Sequence, residues 1–387
     1  MKYTLGAIAL ALIAPTAFAQ SSVTLYGIVD LGGQYIKGPS STVRETSSGG
    51  LAGSRIGFKG TEDLGSGTYV DFVLEGGINV DTGGSAQGGQ LFGRQAFGAI
   101  RNATFGSLSA GRQYSSLYIQ SGEFSAFSNV TGTGVSTSVL GGWAGGYEPI
   151  QGGANAAGTT AATNSESQNG GPARVNNSVR YTTPVLSGLK ASVLYGAGEI
   201  TGGTGETRLF DGSVRYTAYG LDAMVSFISD KAAGSFATAG TTGGTVGTDV
   251  NTITATAAYT LDALRMYAGY MKGDDRRDVA EVSRHDGRGI WIGADYRIGA
   301  NLLKAQWINN EIDNNAIGAK DGKTNAYGIG YQYDFSKRTA VYTSLSRFEN
   351  TGFVGANTGR FNGSISGLTT AADHSLSEFA LGVRHSF

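Results

Sequence analysis

The sequence predicts an all-β fold, a sixteen-stranded antiparallel transmembrane β-barrel, and three observations predict it. Side chains alternate between apolar and polar at period two, the strand segments are even in number, and their connections are alternately short and long. Composition clears the ground first. There are 387 residues with 29 Lys+Arg against 30 Asp+Glu, so no basic field is available for a nucleic-acid partner. Glycine supplies 63 residues and proline only 5, which excludes collagen and proline-rich disorder. Zero cysteines and 3 histidines exclude disulfide frameworks and thiolate chemistry and leave little for a metal, so no cofactor is expected. Mean hydropathy of −0.11 is too low for a helical membrane protein.

Taken in order, the chain opens with Lys2, an apolar core from Leu5 to Ala14, and Ala17-Phe18-Ala19 before Gln20. Ten apolar residues are too few to span a bilayer, so residues 1–19 read as a cleaved secretory signal and 20–387 as the exported barrel. Beyond Ala19 no run of about 18 apolar residues follows, which removes helical spans.

Strands then follow from alternation. Val70, Phe72 and Leu74 oppose Tyr69, Asp71 and Glu75; Ile290, Ile292, Ala294, Tyr296 and Ile298 oppose Trp291, Asp295 and Arg297. Phe379, Leu381, Val383 and Phe387 oppose Glu378, Arg384 and Ser386 in the last segment. Such alternation marks strands with two unlike environments, a property that a soluble sandwich shares. The segments are 22–37, 51–60, 68–80, 91–101, 105–114, 174–184, 188–198, 209–219, 221–230, 251–260, 264–273, 288–299, 301–311, 324–334, 338–349 and 376–387. Most have the ~9–11 residues that a tilted strand needs to cross a bilayer. Tight corners such as Tyr219-Gly220 and Gly299-Ala300 alternate with long connections at 38–50, 81–90, 115–173, 231–250, 274–287, 312–323 and 350–375. A sandwich has no reason to sort its loops by length; an outer-membrane barrel does, with short turns and both termini in the periplasm and long loops outside. Tyr181, Tyr216, Tyr259, Tyr296, Tyr333 and Phe387 share the apolar parity near the short-turn rim and read as an aromatic girdle.

Several motifs together resemble one family. Ser22-Val23-Thr24-Leu25-Tyr26-Gly27 with Asp30, the run from Gly53 to Gly65, Phe92-Gly93-Arg94-Gln95-Ala96-Phe97, Gly111-Arg112-Gln113, Arg174 to Tyr181, and Gly382 to Phe387 are similar to the Gram-negative general porins of the neisserial and β-proteobacterial type. The resemblance implies a homotrimer in outer-membrane lipid and lipopolysaccharide, with one water-filled pore per subunit and a third loop folded inward as the constriction. It also implies that the terminal Phe387 is read by the barrel-assembly machinery.

The third long connection, 115–173, is the candidate constriction loop; its first part carries Glu123 with Tyr118, Phe124 and Phe127, while Gly132 to Asn169 is expected to sit higher and move. On the wall, alternation sends Arg55 and Lys59 to the face opposite Ile56 and Phe58, and Arg94, Arg174 and Arg180 inward as well. By resemblance Arg55, Arg94 and Arg174 stand where the family places its constriction arginines, facing an acidic third loop. Cations on one wall and a carboxylate across from them make a transverse field, and fixed positive charge favours anions. A plainer reading has the arginines pairing with Asp71 and Glu75. Arg112 shares parity with Leu108 and Ala110, so it faces lipid unless a bulge intervenes. The function expected is passive diffusion of small hydrophilic solutes with a mild preference for anions.

Other classes fit less well. A barrel hydrolase needs a serine–histidine pair, but His285 and His374 fall in long connections and His385 takes outward parity. Gly318 to Thr324 resembles a phosphate loop with one residue too few, ahead of a strand. A gated transporter needs an amino-terminal plug, and the first strand begins within three residues of Gln20. A surface adhesin or receptor barrel is the rival, on the strength of its Ser/Thr/Gly loops.

Overall fold

The structure, a computed structural model, describes residues 22–39, 42–128, 173–197, 208–232, 248–275, 285–314, 322–352 and 375–387. Its strand segments are β1 (Ser22–Lys37), β2 (Thr42–Ser48), β3 (Arg55–Gly65), β4 (Thr68–Asn79), β5 (Gly84–Ser85), β6 (Gln95–Asn102), β7 (Gly106–Tyr114), β8 (Arg174–Thr182) and β9 (Leu189–Ala197). They continue as β10 (Arg208–Ala218), β11 (Leu221–Ala232), β12 (Thr248–Leu261), β13 (Leu264–Asp275), β14 (His285–Ile298), β15 (Asn301–Asn314), β16 (Gly322–Asp334), β17 (Thr339–Gly352) and β18 (Ser375–Ser386). An α-helix, α1 (Ser116–Glu123), follows β7.

Each strand pairs antiparallel with its neighbour, and β1 pairs with β18 from Ile28↔Ser386 to Lys37↔Ser377, which closes the cylinder. Closure leaves no sheet edge with unpaired donors, the condition for strands to cross lipid. Sixteen staves result, because β2 and β3 share one stave beside β1 and β5 is a two-residue pairing onto β4. The period-two pattern takes its predicted meaning: Val214, Val225, Ile253, Ile292, Ile329 and Leu381 stand exposed on the outer wall, where lipid rather than water meets them. Tyr181, Tyr259, Tyr296, Tyr333 and Phe387 lie on that same outer face, and Tyr216 is half-buried there.

Two local departures from simple alternation matter for the lumen. The segment expected at 51–60 enters the sheet only at Arg55, β2 occupies most of the connection expected at 38–50, and Gly49 to Ser54 separate the two strands. Those residues leave the sheet and fold over Asp30, whose carboxylate accepts from the amides of Gly50, Leu51 and Ala52 at 3.2, 2.8 and 2.7 Å and from the Tyr342 hydroxyl at 2.6 Å. Beside Arg112 the β7–β8 register slips between Gly111 and Gln113. Asn177, at φ 47, carries the extra residue, as an asparagine tolerates the left-handed region better than most side chains. A bulge therefore does intervene. Arg112 spends its guanidinium on the Gly93 carbonyl at 2.8 Å and on Asn176 Oδ1. The same slip turns Val175, which strict alternation sends outward, into the interior, where it is 3% exposed.

Of the histidines, His285 begins β14 rather than lying in a connection, His385 shares the outward face, and His374 lies outside the described residues. The stretch Gly132 to Asn169, Gly318 to Asp321 and residues 1–19 also lie outside them.

Candidate functional site

The first part of the third long connection folds into the barrel. Ser115 caps α1, its Oγ accepting from the Tyr118 amide at 3.2 Å, and the Ser116 amide donates to Asp211 Oδ2 on β10 at 2.7 Å. A carboxylate at a helix start satisfies donors that have no partner within the helix. Further along, Gln120 Nε2 donates to the Met224 carbonyl at 3.0 Å and to Thr256 Oγ1 at 3.1 Å, which ties the helix to β11 and β12. Trp291 Nε1 on β14 donates to the Phe124 carbonyl at 2.8 Å. Gln306 Oε1 accepts from Ser125 Oγ at 2.9 Å and from the Ala126 amide at 2.8 Å, and Lys304 Nζ donates to the Ala126 carbonyl at 2.7 Å. Phe124 and Phe127, about 0–1% exposed, pack with Met271, Trp291 and Ile308 in the inner apolar cluster. Gly330 accepts Phe127 because it has no Cβ; one added there would lie 2.8 Å from the ring. Polar anchors over an apolar pad thus hold this segment across the lumen.

Against its near side stands a girdle of arginines and tyrosines. Arg94 Nε donates to Glu75 Oε1 at 2.7 Å, and Arg55 Nη1 lies 3.9 Å from Oε2 of the same carboxylate. Tyr114 and Tyr26 donate to Glu75 at 2.7 and 3.0 Å. Tyr118 stacks on Tyr114 with ring centroids 4.4 Å apart, and its hydroxyl accepts from Arg94 Nη2 at 3.4 Å and Arg174 Nη2 at 3.3 Å. The Arg174 guanidinium also lies 4.8 Å over the Tyr118 ring, an arrangement that the ring quadrupole favours. Burial by itself raises the Tyr118 hydroxyl's pKa; the charges of Arg94, Arg174 and Arg55 outweigh it and bring the value down to about 8.

The predicted residues are therefore placed as follows. Arg55, Arg94 and Arg174 converge around Glu75 and Tyr118, with Arg94 and Arg174 only 4% and 2% exposed beneath the loop. Lys59 is exposed, its ammonium 5.3 Å from the Tyr26 ring. Arg180 donates to the Tyr114 carbonyl oxygen. Glu123 pairs with Arg215 at 2.6 Å. The carboxylate beside Arg55 and Arg94 is Glu75, and Asp71 holds Arg101 instead, at 2.6 Å. Sequence reasoning offered Glu75 as a partner for the arginines but missed Tyr26 and Tyr114, which donate to it. Glu75 and Tyr26 carry inward parity, which was the available signal, but Tyr114 reaches Glu75 only through the exit of β7 toward α1.

A closed antiparallel barrel narrowed from within by a helix-bearing loop defines a membrane channel of the porin class. A family model described as Gram-negative porin matches residues 6–352, and the chain belongs to that family. Outer membrane porin protein 32 of Delftia acidovorans is 30% identical over 356 residues, covering 90% of each chain. An outer membrane porin protein of Bordetella pertussis is 29% identical over 407 residues, covering 92% of this chain and 96% of its own. Among solved structures, an anion-selective porin from Comamonas acidovorans superposes with a TM-score of 0.72 at 25% identity, over 95% of this chain and 100% of that one. A trimer form of OmpT from Vibrio cholerae shares the fold with a TM-score of 0.63 at 16% identity, over 95% of this chain and 99% of its own. The protein is an outer-membrane channel for passive diffusion of small hydrophilic solutes, and its relatives are channels rather than enzymes.

Proposed function

We propose that the channel prefers small anions and selects them at the girdle of Arg55, Arg94 and Arg174. The observation that carries this is the charge count of the cluster: the guanidiniums of Arg55 and Arg94 reach the Glu75 carboxylate, and that of Arg174 reaches Tyr118 beside them. A lumen with surplus fixed positive charge concentrates anions, and with no tight site they leave as readily as they enter. Lys59 and Arg180 extend the positive wall, and the relative described as anion-selective supports the same reading. Glu75 orients Arg94 while cancelling one of the charges.

The wider reading keeps the expectations made from sequence. The chain is exported by residues 1–19, assembles as a homotrimer like the OmpT form, and points its long connections outward with its short turns and termini in the periplasm. Phe387 serves as the signal for the assembly machinery, within lipid and lipopolysaccharide.

Zero-current potentials in a salt gradient test the charge count. Arg94→Gln is expected to move the potential toward cations, and Arg94→Gln with Glu75→Gln, which restores the net charge, to move it back. An unchanged potential in the single variant, with barrel folding intact, overturns the assignment.

A further inference from the structure

Asp30 closes the first sequence motif, Ser22 to Gly27 with Asp30, yet the charge count of the girdle makes no use of it. Its side chain shares the inward face of β1 with Tyr26 and is 0% exposed, so no passing solute meets it. A buried carboxylate is costly unless its lone pairs are filled, and donors from two distant parts of the chain fill them here. The segment between β2 and β3 brings the amides of Gly50, Leu51 and Ala52, and Tyr342 on β17 brings its hydroxyl. Tyr342 reaches β1 across the intervening β18 because its opposite residue there is Gly382; a Cβ on Gly382 or on Gly50 would run into the phenol. The Asp30 main chain grips both ends of the same segment. Its carbonyl accepts from the Gly49 amide at 2.9 Å and from Ser54 Oγ at 3.0 Å, and its amide donates to Ser54 Oγ at 3.0 Å.

Held in this way, the segment delivers one group to the pore, the carbonyl of Gly53. Arg55 Nε donates to it at 2.8 Å, whereas Arg55 Nη1 stays 3.9 Å from Glu75, beyond hydrogen-bond reach. The aim of this guanidinium is therefore set by the segment that Asp30 organises more than by the carboxylate. Arg55 is also the most open of the three arginines: its side chain is 21% exposed against 5% for Arg94, and Arg174 is buried. Its charge is the one that the lumen meets most directly.

We propose that Asp30 and Tyr342 are positioning residues of the channel: by fixing the 49–54 segment they keep Arg55 turned toward the lumen and off Glu75, and so set the strength of the anion preference. This rests on the selective role given above to the girdle. With the Gly53 carbonyl out of place, the guanidinium closes on Glu75, and an ion pair in contact cancels a charge that the pore otherwise feels.

Zero-current potentials of Tyr342→Phe, Asp30→Asn and Arg55→Gln channels in a salt gradient test the proposal by their signs. Tyr342→Phe changes no formal charge, yet is expected to move the potential toward cations. Asp30→Asn removes a negative charge, which by itself moves the potential toward anions; release of Arg55 is expected to reverse that sign. Added to Arg55→Gln, Tyr342→Phe is expected to shift nothing further, as for residues that act through one another, whereas a general loosening of the barrel adds its effect whether or not Arg55 is present. An unmoved potential in Tyr342→Phe, or an equal shift with and without Arg55, overturns the proposal. Should Asp30→Asn not fold, Tyr342→Phe and the double variant carry the test. A crystal structure of Tyr342→Phe reads the aim directly: Arg55 is expected to have closed to roughly 3 Å from Glu75, and a guanidinium still seated on Gly53 overturns the proposal whatever the potentials. Should Arg55→Gln match the parent, the selective role of Arg55 falls and this proposal with it; a shifted Arg55→Gln beside an unmoved Tyr342→Phe overturns this proposal alone.

Discussion

Tyr118 is the residue on which the girdle's charge turns. It sits between Arg94 and Arg174, stacks on Tyr114, and is held near a pKa of about 8. Below that pH the hydroxyl is neutral; above it a further negative charge appears among the three arginines. Anion preference is therefore expected to fall as pH rises from 7 to 9, read as a shift of the zero-current potential. Tyr118→Phe, which keeps the stacking ring, is expected to remove that dependence, and a shift of the parent's size in the variant would contradict the argument. Arg94 and Glu75 form a different kind of unit. Removing one partner of a buried ion pair leaves the other uncompensated, at a cost of about 3–5 kcal/mol, so the double replacement is the gentler perturbation.

At the scale of the element, α1 and the residues after it are unusually well tethered for a connection. Isolated helices of this length are marginal, so the eight residues of α1 owe their shape to what they touch. Gln120 binds β11 and β12, and Gln306 binds the backbone at Ala126 from β15. Each buried group left without its partner costs about 1–3 kcal/mol. Gln120→Leu with Gln306→Leu is expected to loosen the segment and raise open-channel current noise and closures at a fixed voltage, recorded from single channels. A trace as quiet as the parent's would show that the apolar pad of Phe124 and Phe127 suffices. The break between β2 and β3 is the other informative element. Asp30 gathers three amides there, and a Cβ on Gly53 would lie 3.3 Å from Arg94 Nη1, so the departure from the sheet shapes the bed on which that arginine rests.

For the whole molecule, closure pairs the strands into one cylinder, with apolar side chains cladding its outer wall and a second apolar cluster inside under the folded-in segment. The seam joins the chain's ends: Gly27 and Phe387 exchange backbone hydrogen bonds at 3.1 and 3.2 Å. Phe387 also lays its ring over Gly27, where an added Cβ would lie 2.4 Å from Cζ. Overpacking of this kind costs about 1–3 kcal/mol. Gly27→Val is expected to lower the temperature at which the barrel converts to its slower unfolded form in detergent electrophoresis. Gly33→Ala, which meets nothing within 4 Å, is expected to leave it unchanged. Equal effects from both would remove the seam from the explanation.

The number of staves and the two unlike faces were legible in the sequence, whereas β2 lies inside the connection expected at 38–50. Alternation is a local consequence of strand geometry, and a membrane imposes it on every stave alike. Arg55, Lys59 and Arg180 could be read in the same way, because each lies within a strand whose neighbours declare the faces. What surrounds Arg94 and Arg174 could not. Arg94 precedes β6 rather than lying in it, and the left-handed Asn177 resets parity just after Arg174, so their positions depend on a turn and a bulge. Their partners come from still farther away: Glu75 from β4, Tyr114 from the end of β7, and Tyr118 from a helix that exists only because distant strands anchor and enclose it. Periodicity specifies which way a side chain points, but only the closed cylinder decides which distant side chains it meets.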